Sequence, residues 1–576
     1  MKSDTISSGV VAGAGTRTFL PANINLSDWN SLEPFYADIT RREITSFDEL
    51  LKWLKDFSEL EAIVEEHAGW LYIRMTCDTG NKSLNEAYAY FVEEINPKIA
   101  PYSDKINKKF VSLPMIDQLD ERYSIYIRQV RNEIKLFREE NIPIEAELTV
   151  KEQQYGEIAG AMTVDVNGKT LTLQQASNYL KDPDRKLRES VFHKMVERRL
   201  IDRDKLDDLF SELIKLRVKI ASNAGFSNYR DYKFTDLNRF DYTPEDCKNF
   251  HRSVMTSVVP VLDFLMTDRK KEMKLDKLKP WDLEVDTSGK PDLKPFKVGS
   301  ELMEKSIACF SQIHPFFGEV LNTLKTKNYT DLDSRIGKAP GGYNYPLYES
   351  GVPFIFMNAS GSLRDVITMV HEGGHAIHSM LTRDLDFIGF KDVPSEVAEL
   401  ASMSMELISM EHWHHFITDK DELRRAKREQ LENIIEVLPW ISCIDAFQHW
   451  LYENPLHTAE QRRDEWRKIF LSFNSSLVDW SEDENALLNL WHKQLHLFEV
   501  PFYYIEYGMA QLGAIAVWKN YKENPGKAIE QYMDALKLGY TVSIPELYKT
   551  AGVRFDFSEK YIRELILFVR TELEKL

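Results

Sequence analysis

Apolar residues recur at three- and four-residue intervals through most of the chain. The segments SLNEAYAYFVEEINPKIAPYSDKINKKFVS (83–112), RYSIYIRQVRNEIKLFREEN (122–141) and DRDKLDDLFSELIKLRVKIASNAG (202–225) all carry this period. It places one apolar stripe on one helical face, so the pattern predicts helices. Gly225 closes the last of them as a helix stop. Period-two alternation is rare. AMTVDVNGKTLTL (161–173) alternates on either side of Asn167-Gly168, which predicts a small hairpin, and GVPFIFMNAS (351–360) predicts a short strand. The expected fold is therefore mainly α. The first ~190 residues hold helices and the hairpin but no chemistry, so an N-terminal helical lobe is expected over 1–190 and a catalytic lobe over 191–576. KLDKLKPWDLEVDTSGKPDLKP (274–295), rich in proline, glycine and charge, is expected to be a surface excursion.

Composition narrows the possibilities. With 576 residues the chain is long enough for more than one lobe and a deep cleft. No stretch approaches the ~20 apolar residues of a membrane span. The net charge of −18 opposes binding to nucleic acid or anionic lipid. The cysteines Cys77, Cys247, Cys309 and Cys443 are far apart, which argues against a disulfide scaffold. The N-terminal MKSDTISSGVVAGAGTRTF lacks a hydrophobic signal core and is expected to be a flexible lead-in, leaving the cytoplasm as the default compartment. GAGTRT within it lacks the strand and third glycine of a dinucleotide fingerprint.

The chemistry concentrates in GSLRDVITMVHEGGHAIHSML (361–381). Ser362 and Asp365 have the spacing of a capping box at a helix start. His371 and His375, four residues apart, then project from one face and suit two ligands of a zinc ion. Glu372, beside them, suits a general base acting on water at the open metal position. Gly373 and Gly374 each cost about 1 kcal/mol in a helix interior relative to Ala, which implies a close approach to the backbone by a packed helix or a substrate. A hydrolytic zinc site needs a third protein ligand. The HExxHxxGxxH pattern is absent, because His378 stands at its glycine and Leu381 at its last histidine. Later carboxylates remain: Glu396, Glu399 and Glu406 in DVPSEVAELASMSMELISMEHWHHF (392–416).

HEGGHAIHS, with Glu399 in VAELAS after 23 intervening residues, resembles the thimet oligopeptidase and oligoendopeptidase F family of zinc peptidases. GKAPGGYNYPLYESGVPFIFMNASGSLRDVITMVHE (337–372), NAGFSNYRDYKF (223–234) and KPWDLEV (279–285) extend the resemblance, which is strong over roughly residues 200–576. It implies one zinc ion per chain on His371, His375 and Glu399, with Glu406 orienting a ligand histidine. It implies two helical lobes around a deep substrate channel, with a small β-sheet beside the active-site helix. In HLFEVPFYYIEYGMAQLGAIAVW (496–518) it implies that His496, Tyr504 and Tyr507 contact the substrate carbonyl, with Tyr503 a competitor because the His-to-Tyr spacing is one residue shorter than in thimet-type members. The implied activity is zinc-dependent cleavage of internal bonds in short peptides. A dipeptidyl carboxypeptidase of the same family and a noncatalytic helical peptide-binding protein are the alternatives. PFIFMN (353–358) is expected to offer an unpaired edge to an extended peptide, beneath a turn formed by Gly341, Gly342 and Tyr343. His412 and His415 are expected on a helix surface or in packing against the second lobe, and Cys443 and His449 in the core.

Overall fold

The computed structural model describes residues 17–576, so the N-terminal lead-in lies outside the described residues up to position 16. Helices dominate, with two small sheets. The chain forms two compact units, each drawn from three stretches. One takes residues up to Ile134, Lys294–Thr418 and Asn520–Val553; the other takes Lys135–Leu293, Asp419–Lys519 and Arg554–Leu576. No single cut near residue 190 produces this division, and position 190 falls inside the helix Arg185–Ile201.

In the first unit a long helix, Phe47–Cys77 (α1), begins at a capping box between Ser46 and Glu49. Its inward face buries Leu50, Trp53, Leu54 and Leu60. Trp53 stacks on Phe110 at 6.2 Å between ring centroids and donates its indole N–H to the Ile39 carbonyl at 2.8 Å, so the bulky ring is buried without an unpaired donor. A three-stranded sheet follows, made of β3 (Thr330–Asp333), β4 (Tyr343–Tyr345) and β5 (Phe354–Ala359) in the order β3-β5-β4, once the hairpin strands β1 (Thr163–Val166) and β2 (Lys169–Thr172) are counted.

β5 is the central strand, parallel to β3 and antiparallel to β4. The expectation that PFIFMN offers an unpaired edge is therefore overturned. Both edges of the strand are occupied, and its near-continuous apolar run is that of a strand covered on both faces. Tyr343, opposite Phe356 in the register, stacks on it at 4.8 Å with the rings 5° from parallel. Gly341 enters β4 with φ +97°, a left-handed conformation open to glycine.

The second unit holds the predicted hairpin. β1 and β2 pair antiparallel through Asn167 and Gly168, both with positive φ, as a two-residue turn requires. The helices Pro244–Ser257 (α2) and, later in the chain, Lys420–Glu453 lie against each other in this unit. Segment 274–295 is a surface excursion only in part: residues 288–292 are exposed, but the earlier part is anchored. Leu278, Trp281 and Asp282 are buried, and Asp282 is held by Arg185 at 2.7 Å and Arg188 at 2.9 Å. Two guanidiniums satisfy a carboxylate that local composition alone assigns to solvent.

Candidate active site

The first unit continues with Gly299–Ile313 (α3), then Leu363–Thr382 (α4), then Ser395–Ser409 (α5). The start of α4 is fixed locally. Ser362 Oγ accepts from the Asp365 amide at 3.3 Å, and Asp365 Oδ2 accepts from the Ser362 amide at 2.8 Å and the Ser360 amide at 2.9 Å. Val366, Met369, Val370 and Ile377 are fully buried, so the apolar face sets the rotation of the helix and presents His371 and His375 on the remaining face.

The two glycines of the motif serve helix packing. A methyl at Gly374 would meet the Ser402 Cα at 2.6 Å and the Ala401 carbonyl oxygen at 2.7 Å, both backbone atoms of α5. A methyl at Gly373 would meet the Phe310 ring of α3 at 2.7 Å. Removing both Cβ atoms lets α5 lie directly against α4. Tyr532 secures α5 from a third helix by donating its hydroxyl to the Ala401 carbonyl at 2.8 Å.

That close approach brings Glu399 to the histidines. His371 Nε2 lies 3.4 Å and His375 Nε2 3.9 Å from Glu399 Oε2. The ligand atoms of the three residues all fall within 4.8 Å of one another. A tetrahedral ion with bonds of ~2.0–2.1 Å separates its ligands by about 3.3 Å, so the donor set fits such an ion with small adjustments. Glu406, seven residues beyond Glu399, accepts from His371 Nδ1 at 2.7 Å. In the neutral imidazole that a metal ligand requires, that bond puts the remaining ring proton on Nδ1 and leaves the Nε2 lone pair for an ion. Ser402 Oγ donates to Glu399 Oε2 at 3.0 Å. Sequence reading missed Ser402, although its spacing three residues after Glu399 is the local signal for such a bond.

Glu372 is buried, and its carboxyl is pushed up to about 7 by that burial, opposed by His371. Burial also raises Glu399 and lowers His375. For His371 burial acts against the charge, but the Glu406 hydrogen bond and the nearby carboxylates outweigh it and raise the imidazole to about 9. Of the three glutamates left open by spacing, Glu396 is buried near the start of α5, where its carbonyl accepts from Tyr548 at 2.9 Å.

His496, Tyr503, Tyr504 and Tyr507 belong to the second unit, where they form one aromatic group. The His496 ring lies 4.6 Å from Tyr504, 6.1 Å from Tyr507 and 6.2 Å from Tyr503 between centroids. Tyr504 and Tyr507, 5.6 Å apart, sit at the start of the helix Ile505–Glu523. Gln494 Nε2 lies 2.7 Å from His496 Nδ1, and burial lowers the imidazole to about 4. His412 is bonded to Tyr521 at 2.9 Å and His415 to Gln312 at 2.7 Å.

Among the described residues no helix is long and apolar enough to cross a membrane. The model of peptidase family M3 matches residues 178–567, and that of the M3 N-terminal domain matches residues 19–137. An oligoendopeptidase F homologue of Borreliella burgdorferi is 22% identical over 515 residues, spanning 86% of this chain and 85% of its own. The oligopeptidase PepF of Bacillus subtilis is 20% identical over 68% of this chain and 57% of its own length. Among solved structures, a PZ peptidase A with inhibitor superposes with a TM-score of 0.88 at 23% identity, over 97% of this chain and 99% of that one. A putative oligoendopeptidase F from Bacillus anthracis gives 0.84 at 22% identity, over 98% and 99%. With the family model matching most of its length, the chain belongs to peptidase family M3.

Proposed function

We propose that this protein is a zinc-dependent endopeptidase that hydrolyses internal bonds of short oligopeptides. The observation that carries the reading is the convergence of His371, His375 and Glu399, with Glu372 beside them on the same helix. His371, His375 and Glu399 would hold the ion, which when bound supplies Lewis acidity toward the scissile carbonyl and toward water. The residues around it do the rest. Glu406 keeps His371 in the tautomer that presents Nε2. Ser402 steadies the Glu399 carboxylate. Glu372 takes a proton from the attacking water and delivers it to the leaving amine. A base beside the ligands distinguishes this set from a binding scaffold, which has no use for one. The family resemblance adds His496, with Tyr504 or Tyr507, as donors to the developing oxyanion. The oligopeptide substrate class rests on the oligoendopeptidase relatives.

The test is mass spectrometry of peptides from ~5 to ~40 residues incubated with the protein, with and without a chelator, in the wild type and in Glu372→Gln. Internal cleavage that chelator abolishes and Glu372→Gln lacks supports the reading. Release of C-terminal dipeptides replaces it with a carboxypeptidase. Cleavage that survives Glu372→Gln removes the proposed base.

A further inference from the structure

A second convergence of donors lies within the other unit. Residues 247–251 read CKNFH and residues 445–449 read DAFQH. Each places two donors four residues apart on a helix, the first pair on α2 and the second on Lys420–Glu453. These helices lie against each other. The ligand atoms of Cys247, Asp445 and His449 all fall within 4.8 Å of one another, and all three residues are buried. His251 Nε2 is 2.7 Å from Asp445 Oδ2.

Two polar side chains of this cluster, His449 and Asp445, keep atoms that no protein group satisfies. His449 Nε2 pairs with Asp445 Oδ2 at 3.3 Å, and its Nδ1 has no hydrogen-bond partner. Asp445 Oδ1 is likewise without one. His449 is 2% exposed and Asp445 0%. The walls are aromatic. Phe502 and Phe234 stand edge-on to His449 at 5.4 and 6.1 Å, and Phe473 stands 6.4 Å from His251. A buried imidazole with an unpartnered Nδ1 and a buried carboxylate with an unpartnered Oδ1 each cost about 1–3 kcal/mol in such surroundings. A hydrogen bond from one ring to another group does not remove that cost.

We propose that Cys247, Asp445 and His449 form a second metal site, structural in character, for a thiophilic divalent ion such as zinc. Thiolate, imidazole and carboxylate are the donors this ion takes, and structural sites are closed to solvent. His251 holds the carboxylate through Oδ2, leaving Oδ1 for the ion. On binding, the Cys247 thiol gives up its proton to solvent. The ion would clip α2 to Lys420–Glu453 inside the second unit. The site is independent of the reading proposed for His371, His375 and Glu399.

The experiment loads the full-length protein anaerobically with Co²⁺ and records metal content and the near-ultraviolet spectrum. A thiolate-to-cobalt charge-transfer band can come only from a cysteine site, so the two-histidine, one-glutamate set is silent in it. The expected result is two metal equivalents and the band in wild type. His371→Ala should keep one equivalent and the band. Cys443→Ser, two residues from Asp445, should keep both. Cys247→Ser should lose the band and one equivalent. One equivalent in wild type without the band, or a band that survives in folded Cys247→Ser, overturns the proposal. Should Cys247→Ser fail to fold, the wild-type, His371→Ala and Cys443→Ser measurements decide it. Failure of the peptidase reading would show instead as absence of the equivalent that His371→Ala removes.

Discussion

The donor sets on α4 and α5 and on α2 and Lys420–Glu453 share a plan and differ in access. Each uses two helices, and each has a pair of residues one helical turn apart. In the first, the side chains of His371 and His375 are 21% and 20% exposed. In the second, those of His449 and Asp445 are 3% and 0% exposed. The first also has Glu372 beside its donors, whereas Phe234, Phe473 and Phe502 surround the second. Similar donors thus suit different ends: partial exposure and an adjacent carboxylate suit hydrolysis, and closure suits holding helices together.

The sharpest way to break this contrast is Glu372→Gln. It should lower peptide hydrolysis by roughly 10²–10⁴-fold with metal content unchanged, since a positioned general base contributes about that much. Turnover measured beside metal analysis checks it, and retained activity would leave the first cluster no more catalytic than the second. Next comes Asp445→Asn, which breaks the buried pairing with His251 and should cost about 3–5 kcal/mol in urea unfolding. A change well under 1 kcal/mol there would remove the structural role of the closed cluster.

Gly374→Ala drives a methyl into the backbone of α5 and should destabilise by about 1–3 kcal/mol, with a loss of metal affinity as Glu399 moves away. Calorimetry with and without metal separates the two effects. Glu406→Gln should weaken metal binding by about 10–100-fold while thermal stability of the metal-free protein stays close to wild type. Competition with a chromophoric chelator reads that loss. The smallest expected effect is that of Ser402→Ala, which removes one hydrogen bond to Glu399, about 1 kcal/mol, and should loosen the metal only a few-fold in the same competition assay.

The first cluster was legible because its information is local. Residues 362–375 contain the cap, the apolar face and both histidines, so helical periodicity alone orients them. Glu399 was not legible in that way. Spacing left it level with Glu396 and Glu406, and the family resemblance singled it out. The hairpin at Asn167-Gly168 was local too, and it formed where the turn residues placed it. Failures came where partners were distant. PFIFMN carried no sign that β3 and β4 would take both of its edges. Segment 274–295 showed its prolines and charges but not Arg185 and Arg188, which bury Asp282.

By itself the sequence determined the helices, their caps, the pairing of His371 with His375 and the place of Glu372 between them, because each depends on neighbours within a few turns. Only the tertiary structure decided which carboxylate completes the first set, since that depends on α5 lying against Gly374. It also decided that Cys247 and His251 meet Asp445 and His449. His251 and Asp445 are 194 residues apart, and no local rule acts over that separation; what joins them is the burial of two apolar helix faces against each other.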